Sequence, residues 1–125
     1  MMTETAQADI KAEEISYSKD NRLLTVTFNT GEVYELGAEF LRVESPSAEV
    51  RGHAPHQRKW VGGKKGVGIT AIEPIGNYAV RLTFDDGHDT GLYSWDSLAD
   101  MGRDYAAIWQ AYLDKIEELG ISREV

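Results

Sequence analysis

Gly76-Asn77-Tyr78-Ala79-Val80-Arg81-Leu82-Thr83-Phe84-Asp85-Asp86-Gly87-His88-Asp89-Thr90-Gly91-Leu92-Tyr93-Ser94-Trp95 decides the fold. Tyr78, Val80, Leu82 and Phe84 alternate with Ala79, Arg81 and Thr83, the period of a half-buried strand. Asp85-Asp86-Gly87 suits a hairpin turn, because glycine takes a positive φ without steric cost. His88 to Tyr93 is then the return strand. Ser94 is placed to cap a helix, with Asp96 in the first turn where the helix dipole favours a carboxylate.

An earlier stretch, Leu24 to Leu41, has the same plan. Phe28 aligns with Phe84, Gly31 with Gly87 and Leu36 with Leu92, and helices open at Ala38 and Trp95 after a slip of about one residue. Outside the repeat, Glu13–Tyr17 and a segment through Ile69, Ala71 and Ile75 read as strands, the latter ended or placed at an edge by Pro74. Gly76-Asn77 turns the chain. Leu98, Met101, Tyr105, Ile108, Tyr112, Ile116 and Leu119 form one helical stripe, weakened at Gly102 and stopped at Gly120. Hairpins followed by helices predict an α+β fold: antiparallel β-hairpins forming a small sheet, with a short helix and a long C-terminal helix packed against it.

The length suits one domain, residues 11–125, preceded by a disordered tail over residues 1–10. With no cysteine, the chain can form no disulfide and offers no thiolate to zinc or an iron–sulfur cluster. No apolar run is long enough to span a bilayer, and the first residues lack a signal-peptide pattern, so a cytoplasmic location is expected. The net charge of −8 disfavours nucleic acid as a partner. That charge is uneven. No acid lies between Val50 and Glu73, where Arg51, Arg58, Lys59, Lys64 and Lys65 are all basic.

The same region, Ser45 to Gly68, lacks periodicity apart from a brief strand expected at Lys59-Trp60-Val61. Its Gly62–Gly68 run lacks the order of a phosphate-binding loop and reads as a flexible hinge. Arg51, His53, Arg58, Lys59 and Trp60 are the candidate partner-binding residues, with Trp60 as an exposed anchor beside two cations; the alternative is a solvated loop balancing an acidic helix. The other aromatics, including Tyr78, Tyr93, Trp95 and Trp109, are expected in the core. His88 has two readings. It is a metal ligand, or its ring hydrogen-bonds the Ser45–Val50 loop. No catalytic constellation is present; a metal centre would require His53, His56 or aspartates to converge on His88.

Two segments, Leu41 to His53 and Ile72 to Trp95, resemble the gamma-butyrobetaine hydroxylase-like N-terminal domain family, and the likeness runs from about Ile15 to Leu119. That family occurs as small standalone bacterial proteins of unknown function. It also occurs fused to 2-oxoglutarate-dependent hydroxylases and to Mrp-type ATPases of iron–sulfur cluster assembly. Hydroxylase-fused members hold a structural zinc with three cysteines and a histidine. Those cysteines fall on Ser45, Ser47 and Val50 here, and the histidine falls on His88. The resemblance implies the fold without the zinc site, and the hydroxylases' catalytic iron belongs to a domain this chain lacks.

These observations favour a non-enzymatic accessory or interaction domain. By resemblance, its protein partner is an iron-dependent oxygenase or an Mrp-type ATPase, to which a chain without cysteines would be an adaptor. The competing expectation is a metal-binding protein or small metalloenzyme built on His88. No cofactor is expected under the first reading; zinc or iron would serve the second. No membrane association is expected, and the sequence carries no signal for an oligomeric state.

Overall fold

Gly31 and Gly87 both adopt φ of +93°, in the left-handed region that glycine occupies without strain. Around them the two hairpins close identically. The amide of Phe28 donates to the Glu32 carbonyl and that of Phe84 to the His88 carbonyl, each at 2.9 Å. This computed structural model describes residues 10–124. The tail expected over residues 1–10 therefore lies outside the described residues except for Ile10, which packs on the core.

Strands β1 (Ala12–Ser18), β2 (Leu23–Phe28) and β3 (Val33–Gly37) form one antiparallel sheet in the order β1-β2-β3. Helices α1 (Ala38–Val43) and α2 (Ala48–Arg51) and a 3-10 turn (Pro55–Gln57) follow. Strands β4 (Ile69–Ile75), β5 (Ala79–Phe84) and β6 (Leu92–Ser94) make a second antiparallel sheet in the order β4-β5-β6. Helices α3 (Trp95–Arg103) and α4 (Tyr105–Leu119) complete the α+β architecture.

The repeat reaches further back than the turn motif. Ala12 pairs with Phe28 and Ile69 with Phe84, and each outer strand carries an irregularity just after that pair. The side chains of Asn29 and Asp85, at equivalent turn positions, accept the amides of Lys11 and Gly68.

The return arms differ. In the first hairpin β3 starts at Val33, whereas residues 88–91 leave the ladder and pairing resumes only at Leu92. The expected strand His88–Tyr93 is thus shortened to Leu92–Ser94. Leu24 faces Leu36 and Val80 faces Tyr93, so the counterpart of Leu36 is Tyr93, not Leu92. Burial agrees: Leu36 and Tyr93 are fully buried while Leu92 is 47% exposed. The extra residue falls within the arm rather than at the helix.

One core joins the sheets. Leu24, Val26, Phe28 and Leu36 meet Val80, Leu82, Phe84 and Tyr93, covered by Phe40, Leu41 and Leu98. Such burial contributes roughly 1.5–3 kcal/mol per large apolar side chain. Tyr78 departs from expectation: it sits in the turn before β5, 60% exposed. The C-terminal stripe breaks at Asp104 into α3 and α4, and Gly120 ends α4 at φ +70°. Gly102 lies against the ring of Tyr34, where an added Cβ would come within 2.3 Å of the ring. Close packing, beyond helix weakness, selects glycine there.

Each hairpin turn is fastened to the helix end of the other repeat. Glu32, beside the first turn, takes two hydrogen bonds from Arg103, the last residue of α3. His88, its counterpart, reaches Ser45, just past α1.

The region between Ser45 and Gly68 is more ordered than its sequence suggests. It contains α2 and the 3-10 turn, while Lys59-Trp60-Val61 forms no strand. The glycine run is not a free hinge either, because Gly63 and Lys65 donate their amides to Ser122 and Arg123 carbonyls. The Tyr112 hydroxyl donates to the Val61 carbonyl at 2.6 Å.

Candidate functional site

Residues 88–91 lie outside the sheet, where the side chains of His88 and Thr90 bond to the α1–α2 connection and to α2. His88 Nε2 lies 2.9 Å from Ser45 Oγ, and Nδ1 lies 3.2 Å from Glu49 Oε1. Thr90 Oγ1 lies 2.7 Å from Ser47 Oγ. Ser47 also caps α2, its Oγ accepting the Glu49 amide, and Ser45 Oγ accepts the Ser47 amide. Of the two readings of His88, the structure shows the ring bound to the Ser45–Val50 loop. Burial lowers the His88 pKa first, and Arg42 lowers it further, against opposition from Glu49 and Asp86.

The turn below is an ion cluster. Asp86 accepts from Arg42 Nε at 2.8 Å and Lys64 Nζ at 2.6 Å, and its Oδ1 takes the His88 amide. Burial works to raise the Asp86 carboxyl, but the bonds from Lys64, the His88 amide and Arg42 outweigh it and bring the pKa down to about 2.

Ser45, His88 and Glu49 have the connectivity of a hydrolytic triad. Ser45, however, has no exposed surface, so a substrate carbonyl cannot reach its Oγ. The arrangement fastens rather than attacks. Nor do these residues fit zinc. Val50 is buried and has no donor atom, and both serine hydroxyls are engaged in hydrogen bonds where zinc would take thiolates. Among the described residues no three His, Asp or Glu side chains gather to hold a metal, so His53, His56 and His88 do not converge.

The basic residues form a second feature on the other side of Ser45. Glu44, 4% exposed at the end of α1, bridges two guanidinium groups. Arg51 Nη2 reaches Glu44 Oε1 and Arg58 Nη2 reaches Oε2, each at 3.0 Å. Arg51 also donates to the carbonyls of Glu44 at 2.8 Å and Ser45 at 3.1 Å. Arg58 lies over Trp60, 3.7 Å from the ring centroid. Burial lowers the Arg58 pKa and Glu44 opposes that shift.

Two clefts flank this ledge. One, about 350 Å³, is walled by Arg51, Arg58, Trp60, Ile108, Ala111 and Tyr112 with Glu44 at its base. The other, about 550 Å³, lies against Arg51, His53, Pro55, Arg58 and Trp60. Of the sequence candidates, Arg51, Arg58 and Trp60 come together, His53 borders one cleft, and Lys59 is exposed without lining either. Arg58 and Trp60 are half-buried, not the exposed loop residues expected. Glu44 was not legible as a site residue: a single acid at a helix end carries no pattern, and only folding brings it between two arginines.

The family described as gamma-butyrobetaine hydroxylase-like, N-terminal, matches residues 15–99. The chain belongs to this family. The gamma-butyrobetaine hydroxylase-like N-terminal match stops before α4, which supplies Ile108, Ala111 and Tyr112 to the smaller cleft. Two NMR solution structures are similar over more of the chain. One is 43% identical with a TM-score of 0.82, covering 99% of this chain and 91% of its own. The other is 41% identical with a TM-score of 0.79, covering 93% and 92%. The crystal structure of a DUF971-family protein of unknown function from Acidithiobacillus ferrooxidans is 34% identical, with a TM-score of 0.62, over 74% of this chain and 92% of that one. No curated protein matches the chain. No helix among the described residues is long and apolar enough to cross a membrane.

Proposed function

We propose that this member of the gamma-butyrobetaine hydroxylase-like N-terminal family is a non-enzymatic interaction domain that docks a protein partner on the Arg51–Arg58–Trp60 ledge. The observation that carries the reading is the buried Glu44 carboxylate, which fixes two guanidinium groups beside an aromatic plane. Preorganised arginine and tryptophan are the side chains that dominate protein interfaces. His53 and Lys59 belong to the rim, where a charge tunes encounter more than affinity. By family resemblance the partner is an iron-dependent oxygenase or an Mrp-type ATPase in the cytoplasm, with this chain as adaptor.

The test is capture from host extract by the immobilised parent, Trp60→Ala and, as a distant control, Tyr78→Ser, after melting curves establish that all three are folded. A partner kept by the parent and Tyr78→Ser but lost by Trp60→Ala supports the reading. Equal capture by Trp60→Ala, with loss in a stable His88→Ala protein, moves the site to the second hairpin.

A further inference from the structure

We infer that the occupant of the ledge is an acidic segment of the partner protein, seating a carboxylate against Arg51 and Arg58 beside Trp60. This rests on the docking reading above and adds the chemistry of what docks.

The argument begins with unused donors. Arg51 spends Nε and Nη2 on Ser45 and Glu44, and Arg58 spends Nη2 on Val43 and Glu44. Nη1 of each makes no hydrogen bond among the described residues; the Nε of Arg58 also has no partner there but is buried, so Nη1 is the donor each arginine leaves to a ligand. Both arginines line both clefts. Guanidinium edges left open in this way suit a carboxylate, whose two oxygens match the fork.

Charge balance points the same way. Glu44 is shared between two cations, and Lys59 adds a third that is exposed. Among the described residues no second acid forms an ion pair with Arg51 or Arg58 to complete the neutralisation. The ordering cost is already met, because Glu44 and the Ser45 carbonyl hold Arg51 before any ligand arrives. The clefts on either side offer Ile108, Ala111, Tyr112 and Pro55 to apolar neighbours of the carboxylate. A nucleic-acid strand is a poorer occupant. It would need a longer track of cations, whereas the exposed face of α4 carries Asp114, Glu117 and Glu118.

The experiment uses the full chain labelled with nitrogen-15. Its probes are the hexapeptide Glu-Leu-Asp-Leu-Glu-Leu, its amide counterpart Gln-Leu-Asn-Leu-Gln-Leu, and a short oligothymidylate. The expected result is a shift of the Trp60 indole and Arg51 Nε resonances with the acidic peptide, weakening with salt. Binding should fall about tenfold or more in Arg51→Gln, the worth of a charge-assisted bond. Lys59→Glu, at an exposed position, should weaken it several-fold and keeps the test open if Arg51→Gln fails to fold. No shift with the acidic peptide, equal binding of the amide peptide, tighter oligothymidylate binding, or self-association of the chain through the ledge would each overturn the inference. If the acidic peptide fails while partner capture still depends on Trp60, docking at the ledge stands and only its acidic chemistry falls. If capture is also independent of Trp60, both fall.

Discussion

His88 and Arg51 meet at Ser45: the imidazole Nε2 lies 2.9 Å from Ser45 Oγ, and Arg51 Nε donates to the Ser45 carbonyl at 3.1 Å. One residue thus couples the second hairpin to the basic ledge, and the state of His88 bears on the geometry of Arg51.

Stability should therefore decline with acid through His88. The imidazole titrates near 6.5 in an unfolded chain, and burial with Arg42 holds it lower in the fold. Between those two values the unfolded state binds more protons than the folded one. The stabilisation is then full above the unfolded value and is lost as pH falls through the folded value. Urea midpoints measured between about pH 7 and pH 5 should drop in the parent and drop less in His88→Gln. A parent that gains stability over that interval would contradict this account of the ring.

Arg58 and Lys59, adjacent in sequence, should differ sharply in how much charge reversal costs. Lys59→Glu changes an exposed residue and should alter stability by about 0.5 kcal/mol or less. Arg58→Glu sets a second carboxylate against buried Glu44 and removes its stacking on Trp60, at a cost of about 3 kcal/mol or more. Denaturant melts of the two single variants decide the matter; equal stabilities would show that the Glu44 pair is not formed.

Gly87 stands at φ +93° with open space around the position a Cβ would take. Gly87→Val should thus lose about 1 kcal/mol or more from backbone strain alone. An unchanged melting temperature would mean that the turn relaxes into another form.

Chelation should leave the melting curve in place. The bonds from Ser45 to His88 and from Ser47 to Thr90 close this corner without a metal, and Val50 has no donor to give. A large fall in melting temperature after chelator treatment, reversed by adding zinc, would restore the metal reading of His88.

Much of the fold was legible because its signals are local. Alternation from Val80 to Phe84 and glycines at the two turns depend on a few neighbouring residues, and both hairpin turns formed where that pattern puts them, although Tyr78 falls outside β5 and the second return strand is shorter than the pattern suggests. What depends on distant packing was not legible. The break of the second return strand follows from Ser45 and Ser47, each 43 residues from its partner in sequence. Gly102 reads as a weak helix residue, yet its place is set by the Tyr34 ring of the other repeat. The basic stretch was visible as composition. Its division into paired arginines and a free lysine was not, since Glu44 acts on it from outside.

The exchange of fastenings between repeats has a consequence for how the molecule comes apart. Glu32 of the first hairpin is held by Arg103 of the second helix pair, and His88 of the second hairpin by Ser45 after the first helix. Neither half owns the clasp that closes its turn. A chain severed in the Gly52–Gly66 connection would yield two pieces that are each incomplete alone, but that carry complementary halves of both clasps. The interlock makes reassociation the route back to structure, and it ties the loss of one hairpin to the loss of the other in a single cooperative event.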